Sequence, residues 1–269
     1  MQASKVTDHI TAWLDDYVEQ SGTKGFVIGV SGGIDSAVTS TLGARTGKPL
    51  LCVEMPIHQG QSQVARAQRH IEFLEANYPN VHTVEVPLSD VFDGLISVLP
   101  PVESEWKDTA LVNTRARLRM TTLYYFAAFH NYLVLGTGNK VEDFGIGFFT
   151  KYGDGGVDLS PIADLTKTEV YELGTELGVN QDILEAPPTD GLWHDDRTDE
   201  DQIGGSYPEL EWAMEFKGDE AQLSVREQEV LAIYRRLNQA NQHKMEPIPV
   251  CLIPEKLRPS RFSQRLTQS

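Results

Sequence analysis

Positive charge and cysteine are both scarce in this chain, and long apolar runs are missing altogether. Lys and Arg number 23 against 39 Asp and Glu over 269 residues, a formal net charge of −16. Nucleic acids and anionic membranes are bound chiefly through Lys and Arg, so this balance argues against both as partners. No apolar run approaches the ~20 residues of a membrane span. The opening Met1-Gln2-Ala3-Ser4-Lys5-Val6 lacks the basic-then-apolar pattern of a secretory signal. The two cysteines, Cys52 and Cys251, sit in apolar stretches without metal-like spacing. Both are expected to be reduced core residues, which fits a cytoplasmic protein. Two common phosphate loops are absent as well. No lysine follows a glycine-rich turn in the Walker A spacing, and Gly47-Lys48 runs into Pro49, which closes a helix. The dinucleotide pattern G-x-G-x-x-G fails because Ser31 occupies the place of its second glycine.

What is present is the stretch Phe26-Val27-Ile28-Gly29-Val30-Ser31-Gly32-Gly33-Ile34-Asp35-Ser36. Its apolar, β-branched start reads as a buried strand, and a helix is expected over 35–44. Glycines between the two let the backbone approach a ligand, and the helix N-terminus offers unpaired N–H groups to an anion. Ser31 and Ser36 add hydroxyl donors. The chemistry implied is phosphate binding. An acidic chain that binds an anionic nucleotide must gather its few cations locally.

The periodicity continues as alternating helices and strands. Val6, Ile10, Trp13, Leu14, Tyr17 and Val18 share a helical face; strands are expected over 49–55, 82–86 and 132–136. Helices are expected over 61–78, from about 90, and over 110–129. This is an α/β pattern: a doubly wound, Rossmann-like parallel sheet covered on both faces, in a single domain spanning 1–269. Ligands of such sheets sit beyond the C-terminal strand ends, where Ser31 and Gly136 lie. Thr166 and Glu169 spell a capping box at a further helix start. Residues 186–206, rich in Pro, Asp, Thr and Gly, read as an active-site lid or a disordered segment, with acids at Asp195, Asp196, Glu200 and Asp201. A final helix is expected over 223–239, with a loose basic tail from about 255.

Ser-Gly-Gly-x-Asp-Ser resembles the pyrophosphate loop of the N-type ATP pyrophosphatases, on the adenine-nucleotide α-hydrolase-like fold. Four more segments narrow the resemblance. They are Asn113-Thr114-Arg115-Ala116-Arg117-Leu118-Arg119-Met120, Gly136-Thr137-Gly138-Asn139-Lys140-Val141-Glu142, Phe149-Thr150-Lys151-Tyr152-Gly153-Asp154-Gly155-Gly156-Val157-Asp158, and Pro161-Ile162-Ala163-Asp164-Leu165-Thr166-Lys167-Thr168-Glu169-Val170. Together they resemble NAD synthetase, from the first helix to His243-Lys244. The resemblance implies that ATP adenylates the nicotinate carboxylate of deamido-NAD and that ammonia then displaces AMP. It implies ATP contacts at Gly29, Val30, Ser31, Gly32, Gly33, Ile34, Asp35, Ser36, Thr137, Lys167 and Thr189. It implies deamido-NAD contacts at Arg117, Lys151, Asp158, His243 and Lys244, and Mg2+ on Asp35 and Glu142. Magnesium held by one or two carboxylates plus phosphate oxygens suits such chemistry. Arg115 and Arg119 share a helical face at i, i+4 while Arg117 points elsewhere, and Arg115 can equally be part of a solvated face. Phe148, Phe149 and Tyr152 can wall the nicotinate ring or belong to the core. Gly138-Asn139-Lys140 is closer to glutamine-using members, and Pro188-Thr189-Asp190 aligns in more than one register. The first helix leads straight into the loop, leaving no room for an amidohydrolase domain, so ammonia is the expected donor. A homodimer is expected by the same resemblance. Other N-type pyrophosphatases, GMP-synthetase-like or thiolating, and a non-catalytic adenine-nucleotide sensor are the rival readings. A sensor has no use for two carboxylates poised on magnesium.

Overall fold

The computed structural model describes residues 1–101, 103–189 and 198–258. Residues 190–197 of the expected lid, with Asp195 and Asp196, and the tail from 259 lie outside the described residues. Strands β1 (Phe26–Gly29), β2 (Leu50–Glu54), β3 (Val81–Glu85) and β4 (Leu133–Val134) form one parallel sheet in the order β3-β2-β1-β4. Alternate side chains of a strand point to opposite faces. Phe26 and Ile28 of β1 and Leu50 and Cys52 of β2 therefore face one core. Val27, Leu51 and Val53 face the other. The first face is covered by α1 (Ala3–Ser21), α2 (Ile34–Arg45), α3 (Gln61–Asn77) and α6 (Lys167–Glu176). The second is covered by α4 (Ser89–Val98) and α5 (Lys107–His130). Burial on both faces is why β1 and β2 read as nearly unbroken apolar runs, whereas β3, at the sheet edge, is mostly exposed.

Between β1 and its two neighbours the chain order reverses, so the crevice at the C-terminal ends of β1 and β4 is the topological switch point. Beyond β4 a single turn of π-helix (Lys140–Ile146) carries Glu142. The short helices α7 (Gln181–Leu184) and α8 (Asp199–Ile203) precede α9 (Tyr207–Glu215) and α10 (Val225–Met245). α9 and α10 pack on the π-helix through Val141, Ile146, Tyr207, Leu210 and their neighbours.

Several expectations are corrected. On α1 the buried stripe is Ile10, Leu14 and Val18, whereas Trp13 and Tyr17 lie to its side, exposed and paired at 5.9 Å between ring centres. Cys52 is buried, its thiol pushed up to about 12 by burial and then by Glu75; Cys251 is exposed rather than in the core. α9 had no counterpart in the sequence reading. α10 runs six residues beyond 239, where apolar periodicity ends, because its polar side chains tie it to carbonyls. Asn238 donates to Gly145, Asn241 to Ile146, and Lys244 to both Gly147 and Phe149, at 2.8–2.9 Å. The tail begins with a tight turn at Glu255–Leu257. Among the described residues no helix is long and apolar enough to cross a membrane.

Candidate active site

The loop after β1 is held by its own serines. Ser36 Oγ donates to the Gly33 carbonyl at 3.0 Å and accepts from the Ser31 N–H at 3.2 Å, and Gly33 N–H reaches Ser31 Oγ at 3.3 Å. Gly32 has φ +80°, and a Cβ there would meet Gln63 O at 2.6 Å and Ala67 N at 2.9 Å, so the backbone passes directly over α3. Gly33 precedes α2 and supplies no side-chain cap, so the first N–H groups of the helix are left without one where Gly33–Ser36 line the crevice.

Facing the loop is a buried ammonium. Lys167 Nζ lies 2.6 Å from Asp35 Oδ2 and 2.8 Å from Glu142 Oε1, and 4.8 Å from the centre of the Tyr207 ring. Thr166 and Glu169 close the expected capping box, which sets Lys167 as the first residue of α6. A lysine opposes the helix dipole there; two carboxylates explain its presence. Asn139, fully buried, donates to Asp35 Oδ1 at 3.1 Å while its own carbonyl oxygen caps the π-helix through Val141 and Glu142 N–H. Tyr207 Oη donates to Glu142 at 2.6 Å and lies 3.3 Å from Asp199. Burial works to lower the Lys167 pKa, but the Asp35 and Glu142 charges outweigh it, and the ammonium stays protonated well above the usual lysine range. For Glu142 burial opposes ionisation, and Lys167 with the Tyr207 hydroxyl overcomes it, so its pKa falls. Asp35 lacks a tyrosine donor; burial, together with the Glu142 charge, raises it against the pull of Lys167.

The cleft between these groups and the loop has a volume of about 290 Å³. It is lined by the whole segment Gly29–Ser36, by Thr137, by Glu142 and Lys167, and by Thr189 at the start of the expected lid. Every residue expected on the ATP side thus borders one crevice. The residues expected to touch deamido-NAD do not. Arg117 donates to the Lys151 carbonyl at 3.3–3.4 Å, Lys151 donates to the His243 carbonyl, and Lys244 binds the same 147–149 segment. These three cations, with His243 beside them, form a ledge outside the cleft. Asp158 accepts from Tyr124 Oη at 2.9 Å and Val134 N–H at 2.8 Å, also outside it. Of the expected aromatic wall only Phe148 borders the cleft; Tyr152 is exposed, with φ +63°. Arg115 is buried, its guanidinium 4.7 Å from the Phe92 ring centre, and so belongs to no solvated face.

Sequence reasoning gave no role to several polar residues of the cleft, among them Glu54, Arg66, Arg119, Asp143, Asp154 and Asp199. Asp143 rests against the Gly138 backbone, so closely that a Cβ at Gly138 would collide with its carboxyl. Burial and the charges of Glu142, Asp154 and Asp35 push it up to about 8. Only its place beside Glu142 could have drawn attention to it.

A metal ion fits the paired carboxylates. Among the described residues no three His, Cys, Asp or Glu side chains converge to cage an ion. Asp35 and Glu142 both reach Lys167 Nζ and both line an open cleft, and two carboxylates so placed suit Mg2+ completed by water and phosphate oxygens rather than an all-protein site.

A doubly wound, Rossmann-like α/β sheet with an anion-ready loop and a carboxylate pair at its switch point defines the class. The family model described as NAD synthase matches residues 6–248, and the chain belongs to that family of ligases. It is 37% identical over 240 residues to the NH3-dependent NAD+ synthetase of Carboxydothermus hydrogenoformans, covering 88% of this chain and 93% of that one. In structure it is similar to the NMN synthetase of Francisella tularensis, with TM-score 0.83, 31% identity, and 95% and 99% of the two chains covered. It is also similar to the NH3-dependent NAD synthetase of Campylobacter jejuni, with TM-score 0.75, 25% identity, and 94% and 100% covered.

Replacing Lys167 tests the charge arrangement. Lys167→Met leaves two buried carboxylates without their counter-charge, a loss on the order of 3–5 kcal/mol. The Glu142 pKa then rises above its unfolded value, and that of Asp35, already raised, rises further, so the penalty is full at high pH and relieved as pH falls. Urea unfolding should show the variant strongly destabilised at pH 8 and much closer to wild type at pH 5. An equal deficit at both values would assign the loss to packing.

Proposed function

We propose that this chain uses ATP and ammonia to amidate deamido-NAD to NAD, with release of AMP and pyrophosphate. The observation that carries this reading is the meeting of Asp35, Glu142 and Lys167 opposite the Ser31–Ser36 loop. A carboxylate is a poor electrophile until one of its oxygens bonds to phosphorus. In the first step the nicotinate carboxylate attacks the α-phosphorus, the bond to the β-phosphate oxygen breaks, and pyrophosphate leaves. The N-terminal N–H groups of α2 and the Ser31 and Ser36 hydroxyls hold the departing phosphates, and Lys167 holds Asp35 and Glu142 in place at the cleft wall. Mg2+, held by Asp35 and Glu142, would neutralise the β- and γ-phosphates as they go. In the second step ammonia attacks the acyl carbon, AMP departs with the carboxylate oxygen, and a proton is lost from nitrogen. Arg117, Lys151 and Lys244 offer the dinucleotide a cationic ledge, with His243 as a further polar contact and Asp158 as an acidic one. The chain acts in the cytoplasm, where a reduced Cys52 is at home.

A second reading concerns the acid. The Francisella NMN synthetase superposes with the higher TM-score, 0.83 against 0.75 for the Campylobacter NAD synthetase. That favours nicotinate mononucleotide, which lacks the adenylate half, as an alternative substrate. The two readings share one adenylation site and differ in whether the ledge is used.

One set of assays separates them. Purified protein with ATP, Mg2+ and ammonium should form AMP only when an acid is present, and the ratio of kcat/KM for the two acids ranks them. With deamido-NAD as substrate, Arg117→Ala should raise its KM roughly ten- to a hundredfold, as expected for one charge-assisted contact, with little change for ATP. Glu142→Ala should need far more Mg2+ for any turnover. No AMP with either acid would remove the reading; full activity of Glu142→Ala at ordinary Mg2+ would remove it from the metal site.

We also propose a homodimer. Arg117, Thr121, Tyr125 and Phe129 follow each other at i+4 on the exposed face of α5, and Tyr125 and Phe129 are 64% and 72% exposed. Val98, Leu99 and Trp106 before α5 are exposed as well. Exposed aromatics stacked on one helix face, Tyr125 on Phe129 at 6.4 Å between ring centres, suit an interface. Sedimentation should give a dimer that Phe129→Asp weakens; a monomer at all concentrations would contradict it.

A further inference from the structure

Three cationic side chains reach the cleft: Lys167, Arg119 and Arg66. Four acids besides the Lys167 partners, Glu54, Asp143, Asp154 and Asp199, line it too. Lys167 is neutralised by Asp35 and Glu142, and Arg119 is turned to the Met55 carbonyl at 3.0 Å. Arg66 is placed differently. It forms no ion pair with a described residue, and its Nε donates to the Gly32 carbonyl at 3.3 Å. Its terminal nitrogens have no protein partner among the described residues.

The position is fixed by the backbone. Gly32 passes over α3 so closely that a Cβ on it would lie 3.2 Å from Arg66 Cβ. The guanidinium therefore stands at the rim of the loop whose N–H groups face the crevice, on the α3 side, with Lys167 held opposite by Asp35. A terminal diphosphate brings three or more negative charges into this acidic cleft. Backbone N–H groups supply only partial charge. The guanidinium is a fork of donors that suits phosphate oxygens and keeps its charge at any working pH.

We propose that Arg66 grips the terminal phosphates of the nucleotide, and pyrophosphate as it leaves, through its two terminal nitrogens. This rests on the adenylation reading above and adds to it a residue that no loop motif contains. The ligand class is a polyphosphate: the β,γ end of a nucleoside triphosphate, or free pyrophosphate.

Calorimetric binding of ATP, pyrophosphate and AMP, at one fixed Mg2+ concentration, tests it in the wild type, Arg66→Ala and Arg66→Lys. Arg66 is half-buried on the surface of α3, so thermal melting should show both variants folded. Arg66→Ala should weaken ATP and pyrophosphate roughly ten- to a hundredfold and leave AMP unchanged; Arg66→Lys should recover part of the loss. Unchanged ATP and pyrophosphate affinities would overturn the proposal. Equal losses for all three ligands would also overturn it, by making Arg66 a prop for the loop. A wild type that binds pyrophosphate but not ATP, with the loss still seen in Arg66→Ala, would strike the adenylation reading and leave the grip on polyphosphate standing.

Discussion

The site depends on one buried ammonium. Lys167 is the first residue of α6, Asp35 belongs to the first turn of α2, and Glu142 to the π-helix after β4. Three separate elements thus meet at a single nitrogen. Removing charges from water costs several kcal/mol per ion, and a buried pair repays this only when its remaining lone pairs are satisfied. Here Asn139 serves Asp35 and Tyr207 serves Glu142. The polar cluster is complete enough to fix how α6 and α9 sit against the loop. Two carboxylates sharing one lysine also carry a surplus negative charge, which is the condition a divalent cation requires. The same contacts that hold the fold at this end are the ones on which the proposed metal and phosphate site rests.

Charge economy explains the rest of the arrangement. A chain with a net charge of −16 cannot attract a triphosphate by its overall field. Its cations are instead placed in two groups. Lys167, Arg66 and Arg119 border the cleft at the switch point. Arg117, Lys151 and Lys244 lie on the neighbouring ledge, where backbone carbonyls rather than carboxylates receive them. Cations held by neutral acceptors keep most of their attraction for an anion, whereas Lys167 spends its charge on its partners. That division matches a reaction with two anionic substrates, each needing its own positive surface.

Much of this was legible in the sequence, for local reasons. The strand before Ser31, the glycine turn and the capping box at Thr166 are each set by neighbours within a few residues, and each lies where expected. The near-continuous apolar strands forecast a sheet covered on both faces. Other features depend on distant partners and left no local trace. Arg66 reads as one polar position of an amphipathic helix; only the passage of Gly32 over α3 gives it a place. Tyr207 carries no motif, yet its hydroxyl joins Lys167 in favouring the ionised form of Glu142. The last turns of α10 lie beyond the expected helix because their contacts are hydrogen bonds to carbonyls, and apolar periodicity cannot register those. The aromatic pair Trp13 and Tyr17 fits the helical period, but the stripe that packs is only Ile10, Leu14 and Val18.

The central claim is that this cleft joins a carboxylate to the α-phosphorus of ATP. It is tested most directly by following the carboxylate oxygen. The nicotinate acid is prepared with both carboxylate oxygens as oxygen-18 and turned over with unlabelled ATP and ammonium, and the products are weighed by mass spectrometry. Attack on the α-phosphorus requires that AMP leave with one heavy oxygen and that pyrophosphate carry none. Heavy oxygen in inorganic phosphate, with ADP as the nucleotide product, would show attack at the γ-phosphorus and contradict the account.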